Sequence, residues 1–146
     1  MDKIGNYLAP DHQHCDGYFS TAEAAALQGD WDAAATQFDQ FLLAMKQHFV
    51  KEETVLFPAF EQCTHHTDGP TEVMRMEHTQ MRELFQDMQQ ALMSRDASAY
   101  AGASETLLIL MQQHNLKEEQ MLYRMCDQML ARESGDLIER MQSIVQ

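Results

Sequence analysis

The segment HFVKEETVLF at residues 48–57 decides the fold, because its pattern recurs at residues 114–123 as HNLKEEQMLY. The same offset of 66 residues relates DH at residues 11–12 to EH at residues 77–78. Each copy therefore has an acid–histidine pair followed by His-x-x-x-Glu, whose histidine lies 36 positions after the first one. Residues four apart in a helix project from the same face, so each copy places an imidazole beside a carboxylate. That combination of side chains is typical of a metal site.

The composition of the 146 residues favours one helical domain with its own core. Hydrophobic residues make up 45% of the chain, and there are only three prolines and six glycines. The net charge of −13, with ten lysines and arginines, argues against nucleic acid and against an anionic membrane surface as partners. No apolar segment approaches the roughly 20 residues that cross a bilayer.

The cysteines and the N-terminus bear on the cellular compartment. Cys15, Cys63 and Cys126 are odd in number and form no C-x-x-C pair, which argues against a disulfide framework and favours a reducing compartment. The N-terminal segment MDKIGNYLAP lacks the apolar stretch of a signal peptide. We therefore expect a cytoplasmic protein.

Apolar residues spaced by three and four predict four long helices and a short C-terminal helix. Gly29 and Asp30 have the residue types that end one helix and begin the next, and Asp96 is suited to begin the fourth long helix. The predicted helices cover about residues 10–28, 31–62, 71–94 and 97–132, with the short helix at about 134–145. The short loops indicate an all-α, up-down-up-down antiparallel four-helix bundle. We expect a single domain over residues 1–146 that contains two pseudo-repeats, at about 8–63 and 74–130.

The inner apolar stripes of the predicted helices include ionisable residues. His48 and Glu52 are in phase with the stripe of the second helix, where Pro58 is expected to cause a bend near Thr54. The stripe of the fourth helix contains residues at the equivalent positions and continues towards the C-terminus, through His114, Glu118, Met121 and Met125. The tail helix is expected to cover one end of the bundle with Leu137, Met141 and Ile144.

The four histidines of the repeats are predicted to lie in one layer. His12 and His48 are each 18 residues from Asp30, and the same separation relates the other two histidines to Asp96. In an antiparallel hairpin, equal distance from the turn places two residues at the same height, here about 27 Å from the turn. The predicted layer therefore contains two glutamates and four histidines, namely Glu52, Glu118, His12, His48, His78 and His114.

These six side chains are the candidate metal ligands. Burying them in one layer without a counter-charge would be strongly unfavourable, although a hydrogen-bonded polar layer without metal stays open as an alternative. The set suits two cations, each with two imidazoles, bridged by Glu52, Glu118 and a solvent oxygen. Imidazole and carboxylate ligation without thiolate favours iron, with manganese and zinc ranked behind it.

Other polar residues have two interpretations each or point away from the layer. His14, His65 and His66 are predicted to be exposed. Glu53 and Glu119 are off the stripe and are interpreted as surface acids or as supports for the ligands. Asp11 and Glu77 either orient ligand histidines or are solvated acids. Cys15 is interpreted as a small core residue, with a redox role as the alternative.

Four motifs together resemble the hemerythrin-like HHE cation-binding domain over about residues 8–130. They are DH near the start, H-x-x-x-EE-x-x-LFP from His48 to Pro58, EH at residues 77–78, and H-x-x-x-EE-x-x-LY from His114. The resemblance implies a non-haem di-iron centre with a bridging oxo or hydroxo group, which reacts with O2, peroxide or NO. An electron donor would then be a partner.

The chain departs from the oxygen-carrying hemerythrins in its ligand set. Those proteins have five histidines, with H-x-x-x-H on the third helix and an aspartate five residues after the last histidine. This chain has Met74 four residues before His78, and Glu118 four residues after His114. The four-His, two-Glu set is similar to that of iron-centre repair proteins, which implies a role in oxidative or nitrosative stress and an iron-centre client protein. A carrier or sensor of oxygen or iron, without turnover, is the alternative function.

Overall fold

The computed structural model describes residues 3–144 and consists of helices and short connections throughout that range. It confirms the all-α fold class and forms a helical bundle of the hemerythrin type. Two single π-helical turns, Glu52–Leu56 and Glu118–Leu122, are called here the first and the second π-turn. The α-helices are α1 (Ile4–Leu27), α2 (Trp31–Lys51), α3 (Phe57–Thr64), α4 (Pro70–Ser94), α5 (Ala97–Lys117), α6 (Tyr123–Met129) and α7 (Ser134–Gln142).

The bundle is made of two hairpins, in which α1 packs on α2 and α4 packs on α5. Gly29 has a φ of +75° and ends α1, and the Asp30 carboxylate accepts a hydrogen bond from the amide of Ala33. Asp96 caps α5 in the same way. Arg95, the repeat counterpart of Gly29, also has a positive φ, 52°. The predicted breaks between the paired helices are therefore confirmed.

The start of α1 differs from the prediction at about residue 10, because the helix begins at Ile4 and Pro10 lies inside it. The preceding residue, Lys3, makes no side-chain cap. Instead Asp127 of α6 accepts hydrogen bonds from the amides of Ile4, at 2.7 Å, and Gly5, at 3.4 Å. A cap supplied from 123 residues away leaves no local sequence signal.

The two π-turns shift the phase of the buried residues that follow them. A π-turn contains one residue more than an α-turn. The predicted stripe position Met121 is consequently exposed, and Leu122 and Tyr123 are buried in its place. The π-turn that precedes Pro58 has a counterpart before Arg124, which is not a proline, so proline is not required for the irregularity.

Apolar side chains pack on both sides of the histidine layer. One core cluster includes Phe19, Phe38 and Phe85, and the other includes Leu8, Leu56 and Met141. Helix α7 covers the second cluster as predicted, with Leu137 and Met141 buried and Ile144 packed against them. The predicted end of this helix at Val145 lies outside the described residues. In residues 3–144 no helix is both long and apolar enough to span a membrane.

We predict that Asp127→Ala lowers the free energy of unfolding by about 0.5–2 kcal/mol, the range observed when a capping side chain is lost. Two amides at the start of α1 lose their acceptor in this variant. Urea denaturation followed by circular dichroism measures the change. Asp39→Ala is the matched control, because Asp39 is an exposed helical aspartate and the substitution has a similar effect on helix propensity. Equal stability of the two variants would contradict the capping role.

Candidate metal centre

The structure brings the six predicted ligand residues into one buried layer. The histidines come from α1, α2, α4 and α5, and each glutamate is the first residue of a π-turn. Glu52 and Glu118 have no exposed surface, and the histidines are at most 6% exposed. Their donor atoms form two groups, and the atoms of each group all lie within 4.8 Å of one another. The groups are Glu52–His78–His114–Glu118 and His12–His48–Glu118.

The arrangement within the layer is nearly symmetric. The rings of His12 and His48 have their centroids 4.9 Å apart, and so do the rings of the other histidine pair. The prediction that each pair lies at one height is therefore confirmed. Each Nε2 atom lies close to a glutamate oxygen, at 3.0 Å for His12–Glu118, 3.4 Å for His48–Glu52, 3.2 Å for His78–Glu52 and 3.3 Å for His114–Glu118.

Four of these buried atoms have no hydrogen-bond partner within residues 3–144. They are Glu52 Oε1, His78 Nε2, His114 Nε2 and Glu118 Oε2, which belong to the first candidate ligand group. Of the short Nε2–oxygen contacts, that of His12 with Glu118 Oε1 is a hydrogen bond, whereas those of His78 and His114 are not. An unsatisfied buried polar atom costs about 1–3 kcal/mol. A cation would satisfy all four at once, so the residues fit a metal ion.

The outer nitrogen of each histidine in the layer is held by a carboxylate. Each Nδ1–H donates to an acid, and the bound Nδ1 proton leaves the Nε2 lone pair directed into the layer. The pairs obey the 66-residue repeat and measure 2.6 Å for His12–Glu119, 2.7 Å for His78–Glu53, 2.9 Å for His48–Asp11 and 2.8 Å for His114–Glu77. Of the two interpretations of these acids, the orienting one is correct.

Basic residues partly neutralise these outer acids. Arg82 donates two hydrogen bonds to Glu53, at 2.7 and 2.9 Å. Burial by itself would raise the pKa of Glu53, but the hydrogen bonds from His78 and Arg82 outweigh it and lower that pKa to about 2. Lys51 lies 3.6 Å from Asp11, and Lys117 pairs with Glu77.

The charges of the site do not balance when the histidines are neutral. Six acids lie in the layer or bind its histidines. Three basic side chains in the described residues pair with them, and these are Lys51, Arg82 and Lys117. A metal-ligating histidine must be neutral. Two divalent cations would supply the missing positive charge, which agrees with the donor set.

Two of the ligand histidines bind protons tightly in the metal-free protein. Burial opposes the charged form of His114, but the negative charge of Glu118 and the hydrogen bond to Glu77 raise its pKa to about 9. The pKa of His48 is likewise raised, because burial is outweighed by Glu52 and Asp11. A metal ion must displace these protons to bind.

Tyr123 enters the site, and the sequence interpretation gave it no role. Its buried hydroxyl donates towards Glu52 Oε2, at 2.8 Å, and Glu118 Oε1, at 3.0 Å. Burial and the charges of the two glutamates raise the pKa of Tyr123. The available signal was its position in the repeated motif, where the first copy has Phe57.

The remaining candidates lie away from the layer. His14, His65 and His66 are exposed, as predicted. Cys15 is buried, and its burial raises the thiol pKa to about 12, which agrees with a small core residue rather than a thiolate. All three cysteines are free.

Comparisons with known proteins agree with this geometry. The family model described as the hemerythrin HHE cation binding domain matches residues 4–126. An uncharacterized hemerythrin-like protein of Schizosaccharomyces pombe is 27% identical over 121 residues, which is 82% of this chain and 57% of that protein. The chain thus spans a little over half the length of this relative. No solved structure matches the chain.

We predict that the metal-free protein loses stability as the pH rises from 6.5 through about 9. A histidine whose pKa is higher in the folded state than its unfolded value of 6.5 stabilises the fold below that value, and the contribution disappears above the folded pKa. Urea denaturation of chelator-treated protein across this pH range measures the effect. His114→Gln should flatten the decline, whereas His14→Gln should leave it unchanged. A decline of the same size in both variants would show that His114 is not responsible.

Proposed function

We propose that this chain, which belongs to the hemerythrin HHE cation-binding domain family, holds two iron ions in its buried layer and reacts with O2, peroxide or NO. The observation that carries the proposal is the set of four buried donor atoms that converge without hydrogen-bond partners. Such a set is stable only with a cation or with protons in its centre.

The two candidate ligand groups support a proposal of two metal positions. His12 and His48 would hold one ion, and His78 and His114 would hold the other. Glu118 belongs to both groups, and Glu52 Oε1 lies within 3.4 Å of Nε2 atoms from both histidine pairs, so both glutamates would bridge. Neither group contains a cysteine, and imidazole with carboxylate suits iron.

Iron would supply the electrons that reduce O2 or peroxide, or the vacant coordination that binds NO. The protein contributes positioning and exclusion of water. The acids around the layer hold the Nδ1 protons, so that each imidazole offers a neutral Nε2. Phe49 stacks on His78 with the ring centroids 3.8 Å apart, and Phe57 lies 5.6 Å from the same ring. These rings shield one end of the layer from solvent.

A surface cavity of about 280 Å³ between α1 and α2 reaches the layer beside His48. Asp11, Cys15 and Lys51 also line it. Molecules of the size of O2, peroxide or NO fit such a space, so it is the proposed route to the metals. An electron donor or an iron-centre client would act as protein partner, and three free cysteines support a reducing, cytoplasmic setting.

A carrier or sensor of oxygen or iron, without turnover, is the second candidate function. It is favoured by the complete burial of His78 between two phenylalanine rings, because a dry environment protects a bound ligand from protons. The reactive di-iron function is favoured by the ligand set, which has four histidines and no fifth, because Met74 stands where the oxygen carriers have a histidine ligand.

We predict that the protein binds about two iron ions per chain and that Glu118→Ala abolishes both, because Glu118 belongs to both ligand groups. Elemental analysis after anaerobic loading measures the stoichiometry. Bound iron should also raise the free energy of unfolding, by about 2.7 kcal/mol when free iron is a hundredfold above its Kd. His14→Ala is the control and should retain full loading. A wild-type protein that folds stably and takes up no metal would refute the proposal.

We further predict that the reduced, iron-loaded protein consumes O2 irreversibly, because four histidines leave open coordination at the metals. Stopped-flow absorption after mixing with O2, peroxide or NO compares the rates for the three reactants. Zinc-loaded protein, which cannot change oxidation state, is the control. Full recovery of O2 on degassing would favour the carrier function over the reactive one.

A further inference from the structure

The two halves of the site differ at one position next to the ligands. Tyr123 and Phe57 occupy equivalent places, 66 residues apart, at the end of the repeated motif. Phe57 contributes only its ring, which stacks beside His78. The ring of Tyr123 lies nearly parallel to that of His12, at 18°, and its hydroxyl oxygen reaches the layer. The repeat therefore gives one half an additional donor atom.

The distances from the Tyr123 oxygen match those between neighbouring ligands of one metal. Imidazole and carboxylate atoms bind cations of this size at about 2.0–2.2 Å, so two adjacent ligands lie about 3 Å apart. The Tyr123 oxygen lies near four such donor atoms, at 2.8 Å from Glu52 Oε2, 3.0 Å from Glu118 Oε1, 3.4 Å from His48 Nε2 and 3.5 Å from His12 Nε2.

We infer that the Tyr123 oxygen is a further ligand of the metal held by His12 and His48. The inference rests on the proposed function, since it requires that metal. When the oxygen–metal bond forms, the O–H bond breaks, and the proton leaves to solvent. A bound cation makes this loss favourable because its charge dominates the local field.

Coordination by Tyr123 makes the two metal positions unequal. The position at His12 and His48 gains a protein ligand, whereas Phe57 provides none to the position at His78 and His114. External small ligands, which would enter through the cavity beside His48, therefore bind at the second position. The exchangeable site of the centre is determined by which half carries the tyrosine.

Visible absorption and resonance Raman spectra of oxidised, iron-loaded protein test this ligand directly. The wild-type protein should show a tyrosinate-to-iron(III) charge-transfer band, with Raman modes that shift when the tyrosines are ring-deuterated. Tyr123→Phe should lose the band entirely in the iron that it still binds through the histidines and glutamates. Tyr100→Phe is the matched control, because Tyr100 is also buried and its hydroxyl has no hydrogen-bond partner in the described residues.

The outcomes separate this inference from the proposed function. Full iron loading without the band, or a band that survives Tyr123→Phe, would overturn the inference and leave the metal centre intact. Absence of iron from the wild-type protein would overturn both. If Tyr123→Phe does not fold, ring-deuterated wild-type protein shows whether a tyrosine binds the iron, and Phe variants of the other tyrosines show which one. A band that persists in all of those variants supports Tyr123 as the ligand. Loss of the band in any of them refutes it.

Discussion

The burial of two carboxylates in the middle of an apolar bundle is the constraint on which the rest of this structure depends. Glu52 and Glu118 are completely enclosed, and a charged group without compensation would unfold a domain of this size. Four imidazoles face the two carboxylates within the layer, and the outer acids hold those imidazoles in place by hydrogen bonds. The bundle is thus arranged around charges that helix packing alone would exclude.

The connections between the hairpins follow from the same constraint. Asp11 and Glu77 hold histidines of their own hairpin, whereas Glu53 and Glu119 hold histidines of the opposite one. Each hairpin therefore contains half of the layer and provides one acid that binds a histidine of the other hairpin. Since α1 and α6 are further joined through Asp127, the two repeats complete the site only after they dock.

Much of this arrangement could be predicted from the sequence because it has a period. The 66-residue repeat and the equal spacing from Asp30 and Asp96 gave the helices, the ligands and their common height. The sequence left the role of Glu53 open between a surface acid and a support for the ligands, because that role depends on a histidine of the other hairpin. The exposure of Met121 could not be predicted, because it depends on a π-turn that breaks the α-helical period. Nor could the cap of α1, because its partner is distant in sequence.

The two halves of the site differ chemically at the positions where the sequence departs from the repeat. Arg82 binds Glu53 on the His78 side, while its counterpart Asp16 is an acid. Burial raises the pKa of Asp16, and the charge of Glu119 adds to this rise against the opposing effect of His12. No basic side chain in the described residues pairs with Glu119, so it is the stronger acceptor for Nδ1–H and would make His12 the better donor to a metal. The same half also contains the tyrosine, so in the proposed centre both departures would stabilise an oxidised metal on the same side.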